Sequence, residues 1–181
     1  SETYKNRENG IRKDVGEYLE ALQPKFLRFP GGCAIEGTTV ANQYSWKASI
    51  GYRLTTTING EEVTGDVSAR PLSVDIWHTS TTNPYYMTYG LGFYEYFLLC
   101  DDLDCLPVPV VNAGMVCPIH AGTGYTYFPE NSKEFQAYVQ DSLDLVEFCR
   151  GGADTKWGAI RIAMGHEAPF DLHYIGIGNE Q

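Results

Sequence analysis

Amphipathic helices alternate with short apolar strands along this chain, and no other feature restricts its fold as much. From Ile11 the apolar residues Ile11, Val15, Tyr18, Leu19 and Leu22 recur at helical spacing, and Pro24 closes the segment. Lys25 to Phe29 then reads as a strand. Pro30-Gly31-Gly32 stops it, because a missing donor and missing side chains end pairing and let the backbone turn sharply. Phe93, Tyr96, Phe97, Cys100 and Leu103 predict a second helix, and Val108 to Asn112 a second strand. A third helix is predicted from Phe135, Tyr138, Val139, Leu143, Val146 and Cys149, opened by an Asn131/Glu134 capping box and ended by Gly151-Gly152. Tyr174, Ile175 and Ile177, spaced by Gly176 and Gly178, predict a last, buried strand. The order α, β, long loop, α, β, loop, α, β implies a parallel sheet with right-handed crossovers.

Some stretches are less regular. Pro107 and Pro109 lie within the second strand, where proline cannot donate to a ladder. Asp101, Asp102 and Asp104 crowd the end of the second helix, against its dipole. Trp157 to Met164 is consistent with strand or loop, and Gly165 to Phe170 with a turn. Residues 33–89 show no sustained period and read as a long excursion, with a hairpin turn at Asn59-Gly60-Glu61-Glu62. Trp46, Trp77, Tyr52, Tyr85, Tyr86 and Tyr89 decorate it. Their flat faces suit the C–H faces of sugars, and suit equally the packing of the loop onto its scaffold.

Composition removes several classes of function. With 43% hydrophobic and 20% charged residues, 181 residues suffice for one domain with a core. The net charge of -10 leaves little to neutralise a phosphate backbone, so no nucleic-acid partner is expected. No apolar run approaches 18 residues, so no membrane span is predicted. The chain opens Ser-Glu-Thr-Tyr-Lys-Asn, with neither an initiator Met nor a charged-then-apolar leader. Any signal peptide is then removed or upstream, and the compartment stays open, with a secreted or periplasmic location favoured. The five cysteines are an odd number without a Cys-x-x-Cys pair, which argues against a disulfide framework and a zinc ribbon. Cys100 and Cys149 fall on apolar helical faces as core thiols. His78, His120, His166 and His173 show no ligand spacing, so no metal or other cofactor is expected.

The last predicted strand carries the chemistry. His173-Tyr174-Ile175-Gly176-Ile177-Gly178-Asn179-Glu180-Gln181 delivers an amide and a carboxyl group at a strand's C-terminal end, where parallel α/β enzymes place catalytic groups. Such a carboxyl can donate a proton to a leaving oxygen while the amide holds a substrate hydroxyl. The same pair also suits a turn or a helix cap.

Taken together, several stretches resemble the α-L-arabinofuranosidases of glycoside hydrolase family 51. They are Phe26-Leu27-Arg28-Phe29-Pro30-Gly31-Gly32-Cys33-Ala34-Ile35-Glu36-Gly37, Trp46-Lys47, Gly90-Leu91-Gly92-Phe93-Tyr94-Glu95-Tyr96, Val110-Val111-Asn112-Ala113-Gly114, Lys156-Trp157-Gly158 and Gly176-Ile177-Gly178-Asn179-Glu180. The resemblance implies a retaining hydrolase on a (β/α)8 TIM barrel, releasing terminal arabinofuranosyl groups from arabinoxylan or arabinan. Residues 1–181 would supply part of one catalytic domain, about strands two to four. Strand one, strands five to eight and a β-sandwich would lie outside them. Glu180 would be the general acid/base and Asn179 the partner of the sugar 2-hydroxyl. Cys33 would line the sugar pocket at a position where other members carry Asn, with Glu36, Trp46 and Asn112 as further pocket residues. The nucleophile, a Glu on a later strand, lies beyond Gln181. Burial and a like-charged partner would raise the Glu180 pKa.

Two other readings stay open. One is another retaining barrel hydrolase, an endoglucanase or β-xylosidase; the other is a non-catalytic carbohydrate-binding module. Exposed edges of a partial sheet predict low solubility or self-association of the 181 residues alone.

Overall fold

The computed structural model describes residues 2–57, 61–65, 70–76, 85–121 and 126–180, with backbone pairing alone for 52–57 and 61–65. Trp77, His78 and the predicted turn residues Asn59 and Gly60 lie outside them. In chain order the elements are α1 (Lys13–Leu22), β1 (Phe26–Phe29), α2 (Trp46–Ser49), β2 (Tyr52–Thr57), β3 (Glu61–Gly65), β4 (Ser73–Val74), β5 (Tyr86–Met87), α3 (Phe93–Leu103), β6 (Leu106–Val111), α4 (Pro118–Ala121), α5 (Lys133–Arg150), α6 (Lys156–Ala163) and β7 (Gly176–Ile177).

A parallel sheet of order β1-β6-β7 organises the whole, as the alternation of helices and strands predicts. Strand β6 begins two residues before the predicted Val108 and accommodates both prolines. The Leu106 N–H donates to Lys25 O, so the N–H groups of alternate residues from Leu106 face β1, and the nitrogens of Pro107 and Pro109 face the other side. There β7 pairs only from Val110 onward, so neither proline deprives a neighbour of a donor. The other two sheets are antiparallel pairs, β2 with β3 and β4 with β5. In the first, Thr57 pairs with Glu61: a hairpin lies where one is predicted, but Glu61 and Glu62, expected in its turn, belong to β3.

The core lies between the sheet and the helices. Phe29 packs edge-on against Phe93 and Phe97, with ring centroids 5.3 and 5.2 Å away, and Phe97 stacks on Phe170 at 4.9 Å. Cys100 and Cys149 are buried, as their helical faces predict. Helix α2 is tied to α5 by the Trp46 indole, which donates to Asp141 O at 3.0 Å, and by Lys47, whose ammonium meets Asp141 and Asp144 at 2.5 Å each. Two of the carboxylates crowding the end of α3 have partners as well. Asp102 accepts two bonds from the Arg7 guanidinium, and Asp101 faces His166 Nε2 at 2.9 Å.

Four expectations are corrected. Residues 156–163 form a helix, not a strand or loop: the Thr155 hydroxyl caps it by accepting from Gly158 N, and a Cβ on Gly158 would lie 2.4 Å from the carbonyls of Gly151 and Gly152. The glycine that weakens the helical pattern is what lets α6 approach the end of α5. Helix α5 is capped by Ser132, which accepts from Phe135 N, one residue later than the predicted Asn131 box. The last strand is short but not buried: only Gly176 and Ile177 pair, and Tyr174 and Ile177 are exposed because β7 is an edge. The apolar face of α1 is divided, with Ile11 and Leu19 packing near Tyr4, Leu99 and Leu103 while Val15, Tyr18 and Leu22 are exposed.

Arg161 holds the segment between α6 and β7 in place. Its guanidinium is buried and donates to the carbonyls of Phe148, Cys149, Gly151, His166 and Glu167. Five carbonyl dipoles disperse the charge in a place where no carboxylate is among the bonded partners.

Candidate functional site at the strand ends

Parallel strands bring their C-terminal ends to one side, so the segments after Phe29, Val111 and Ile177 meet along one rim. After β1 the Phe29–Pro30 peptide is cis, and Gly31 and Gly32 take positive φ values of 73° and 61°. With φ 73° and ψ 169°, Gly31 has a backbone conformation that residues with a side chain rarely adopt, so the tight turn needs glycine there. The chain then forms a single 3-10 turn, Gly32–Ala34, in which the Cys33 carbonyl accepts from Glu36 N and Gly37 N.

Asn112 links the first two rim segments. Its Nδ2 donates to Ile35 O at 2.8 Å and Met115 O at 3.0 Å, and its Oδ1 accepts from Gly114 N at 2.6 Å and Met115 N at 3.0 Å. Both donors and both acceptor sites are occupied within the protein, so its amide acts as a brace between loops. The third segment joins through Gly178 N, which donates to Val111 O at 2.8 Å.

These links set Asn179 beside Cys33, with Nδ2 3.8 Å from Sγ. The Cys33 thiol is pushed up to about 11, first by burial, then by the neighbouring Cys117 thiol and by the negative charges of Glu36 and Glu180. Cys33 is therefore a neutral thiol at the rim. Glu180, with φ 58°, follows Asn179 and is exposed, so the burial anticipated for its carboxyl is not supplied by the described residues. The reason is its place next to an edge strand.

The remaining candidates are more scattered. Glu36 is buried at 1% exposure beneath the rim. Trp46 is in the core, 5.0 Å from Trp157 and 5.6 Å from Phe148 by ring centroids, and Tyr89 is buried likewise, whereas Tyr85 and Tyr86 are exposed. Trp46 and Asn112 both border a separate cavity of about 870 Å³, lined also by Tyr138 and Asp141 and not by Cys33, Asn179 or Glu180. The strand-end rim at Asn179 and Glu180 is the better catalytic candidate, because the large cavity lacks a comparable amide and carboxyl pair at a parallel strand end.

One grouping is only half visible in the sequence. Cys33, Cys117 and His120 bring two sulfurs and a ring nitrogen to within 4.8 Å of one another. They come from the loops after β1 and β6 and from α4; Cys117 and His120 are spaced as Cys-x-x-His, but Cys33 is far from both in sequence, so spacing alone does not join the three.

Comparison with known proteins places these features. Residues 18–181 match the family model described as the Alpha-L-arabinofuranosidase 1 domain. The chain is 36% identical over 180 residues to an extracellular exo-alpha-L-arabinofuranosidase of Streptomyces chartreusis, covering 99% of this chain and 20% of that protein. To alpha-L-arabinofuranosidase 2 of Arabidopsis thaliana it is 34% identical over 179 residues, covering 99% and 22%. Among solved structures, an arabinose-bound GH51 α-L-arabinofuranosidase matches with a TM-score of 0.78 at 34% identity, over 98% of this chain and 24% of that one. An arabinose complex of the Thermotoga maritima α-L-arabinofuranosidase matches at a TM-score of 0.64 and 24% identity, a likeness of fold alone. The chain thus spans about a fifth to a quarter of the length of these relatives.

Proposed function

The chain belongs to the α-L-arabinofuranosidases of glycoside hydrolase family 51, and from that membership we propose that it supplies the acid/base half of a retaining arabinofuranosidase site. Its fold is then part of a (β/α)8 barrel, about strands two to four, with β1, β6 and β7 as those strands. The substrate is a terminal α-L-arabinofuranosyl group on an arabinose-containing polysaccharide or oligosaccharide, with arabinoxylan and arabinan as the candidates. One observation carries this reading: Asn179 and Cys33 meet at the C-terminal rim of a parallel sheet, and Glu180 is the next residue.

The chemistry follows from that placement. In the first step the Glu180 carboxyl gives its proton to the leaving glycosidic oxygen while a second carboxylate, about 5 to 5.5 Å away, attacks the anomeric carbon. In the second step Glu180, now a carboxylate, takes a proton from the water that releases arabinose. The second carboxylate belongs to a segment beyond residue 181. A partner strand on the open edge of β7 would cover Glu180 and, with the nucleophile's charge, favour its protonated form before reaction. The Asn179 amide donates to the sugar 2-hydroxyl, a bond that strengthens as the oxocarbenium-like transition state develops. Cys33 offers a thiol, a weak donor and acceptor, where it shapes the pocket wall more than it orients a hydroxyl.

A chromogenic panel tests the assignment. The full-length protein is expected to hydrolyse an α-L-arabinofuranoside at least 100-fold faster than the matching β-xyloside or β-glucoside. A preference for either of the latter would reassign the substrate. Binding of arabino-oligosaccharides without turnover would instead identify a carbohydrate-binding module.

A further inference from the structure

We propose that Cys33, Cys117 and His120 form a binding site for a thiophilic divalent cation of the zinc type. The three ligand atoms already lie within 4.8 Å of one another. In a tetrahedral zinc site, with Zn–S about 2.3 Å and Zn–N about 2.0–2.1 Å, such atoms are roughly 3.5–3.8 Å apart, so closure asks for movements of about 1 Å. Two sulfurs and an imidazole select zinc, cobalt or cadmium over magnesium or calcium, which take oxygen ligands.

The backbone holds the three residues in this arrangement without a metal. Cys33 O accepts from Gly37 N at 2.9 Å, Gly37 O from Cys117 N at 3.0 Å, and Cys117 O from Ala121 N at 2.9 Å, next to His120. Each ligand is therefore within one residue of a chain of backbone bonds running across the rim. Both thiols are buried and His120 is exposed, which gives the ion an entry side and a mostly dry seat. On binding, the two thiol protons pass to solvent and the sulfurs coordinate as thiolates. Three protein ligands leave the fourth position open. The site shares Cys33 with the cleft wall beside Asn179, so a bound ion fixes that wall.

Cobalt is the probe, because thiolate–Co(II) charge-transfer absorption counts sulfur ligands directly. Titrating Co(II) into reduced full-length protein should give one equivalent with near-ultraviolet charge-transfer bands, abolished by Zn(II). Cys117→Ser should halve the band intensity, and His120→Ala, at an exposed position, should weaken binding on the order of 100-fold while the sulfur bands remain at saturation. Absence of the bands, or bands and affinity unchanged in both variants, overturns the proposal. A peptide pair linked through Cys33 and Cys117 in non-reduced protein overturns it in favour of a disulfide. None of these measurements uses sugar turnover, so failure here is distinct from failure of the glycosidase reading.

Discussion

The amide nitrogen of Asn179 lies 3.8 Å from the sulfur of Cys33, a residue 146 positions earlier in the chain. That approach fixes the orientation of the side chain that precedes Glu180, and under the glycosidase reading it aims the amide at the sugar 2-hydroxyl. Asn179→Ala should lower kcat/KM of the full-length enzyme by roughly two to three orders of magnitude on an arabinofuranoside. On a 2-deoxy analogue the variant and the parent should be nearly equal, because the lost partner is then absent from both. A full loss on the 2-deoxy substrate would mean that Asn179 acts on the fold.

Asn112 braces the loops after Phe29 and Val111 with four hydrogen bonds. Asn112→Asp should be more damaging than Asn112→Ala, since a carboxylate oxygen would face the carbonyls of Ile35 and Met115 in place of a donor. Alanine should cost about 1–3 kcal/mol in denaturant unfolding and aspartate more. The reverse order would show that the loops are held by other means.

Arg161 gives its guanidinium to five backbone carbonyls and is 1% exposed. Lysine keeps the charge and has only three donors on a point-like head, so Arg161→Lys should destabilise by about 2–4 kcal/mol. Urea unfolding measures this. A loss below about 0.5 kcal/mol would mean that the carbonyls accept from water or from other donors without it.

The regular elements were readable because periodicity reports burial, and the irregular ones were not because their determinants are long-range. Helices α3 and α5 and strands β1 and β6 lie within one or two residues of their predicted bounds, but the buried face of α5 is Leu145, Phe148 and Cys149, and Val139, Leu143 and Val146 of the predicted face are exposed. Helix α6 escaped because its interior holds a glycine placed for contact with α5 and an arginine buried by carbonyls, neither of which a hydrophobic pattern can register. The strand before Asn179 and Glu180 is legible from its alternation, but its exposure is not, since what lies along its outer edge is not encoded in its own residues. Of the Cys33, Cys117 and His120 grouping the sequence shows only the Cys-x-x-His spacing of Cys117 and His120; Cys33 joins them through the meeting of the loops after β1 and β6, which no spacing rule announces.

Side chains on α1 bear on how the chain behaves alone. Tyr18 and Leu22 are each 75% exposed on the face that sequence periodicity marks as apolar, with Val15 and Phe26 exposed nearby. Residues 1–181 expressed by themselves should self-associate, and Tyr18→Lys with Leu22→Lys should shift sedimentation velocity profiles toward monomer. A monodisperse monomer without these changes would contradict the expectation.

Everything proposed about catalysis converges on the carboxyl group of Glu180. The decisive measurement is turnover by Glu180→Gln in the full-length protein, with one arabinofuranoside bearing a good leaving group and one bearing a poor one. The account predicts a fall of about 100-fold or more on the poor leaving group, a smaller first-step loss on the good one, and recovery with azide through an arabinosyl azide product. Activity unchanged on both substrates would contradict it and remove Glu180 from the mechanism.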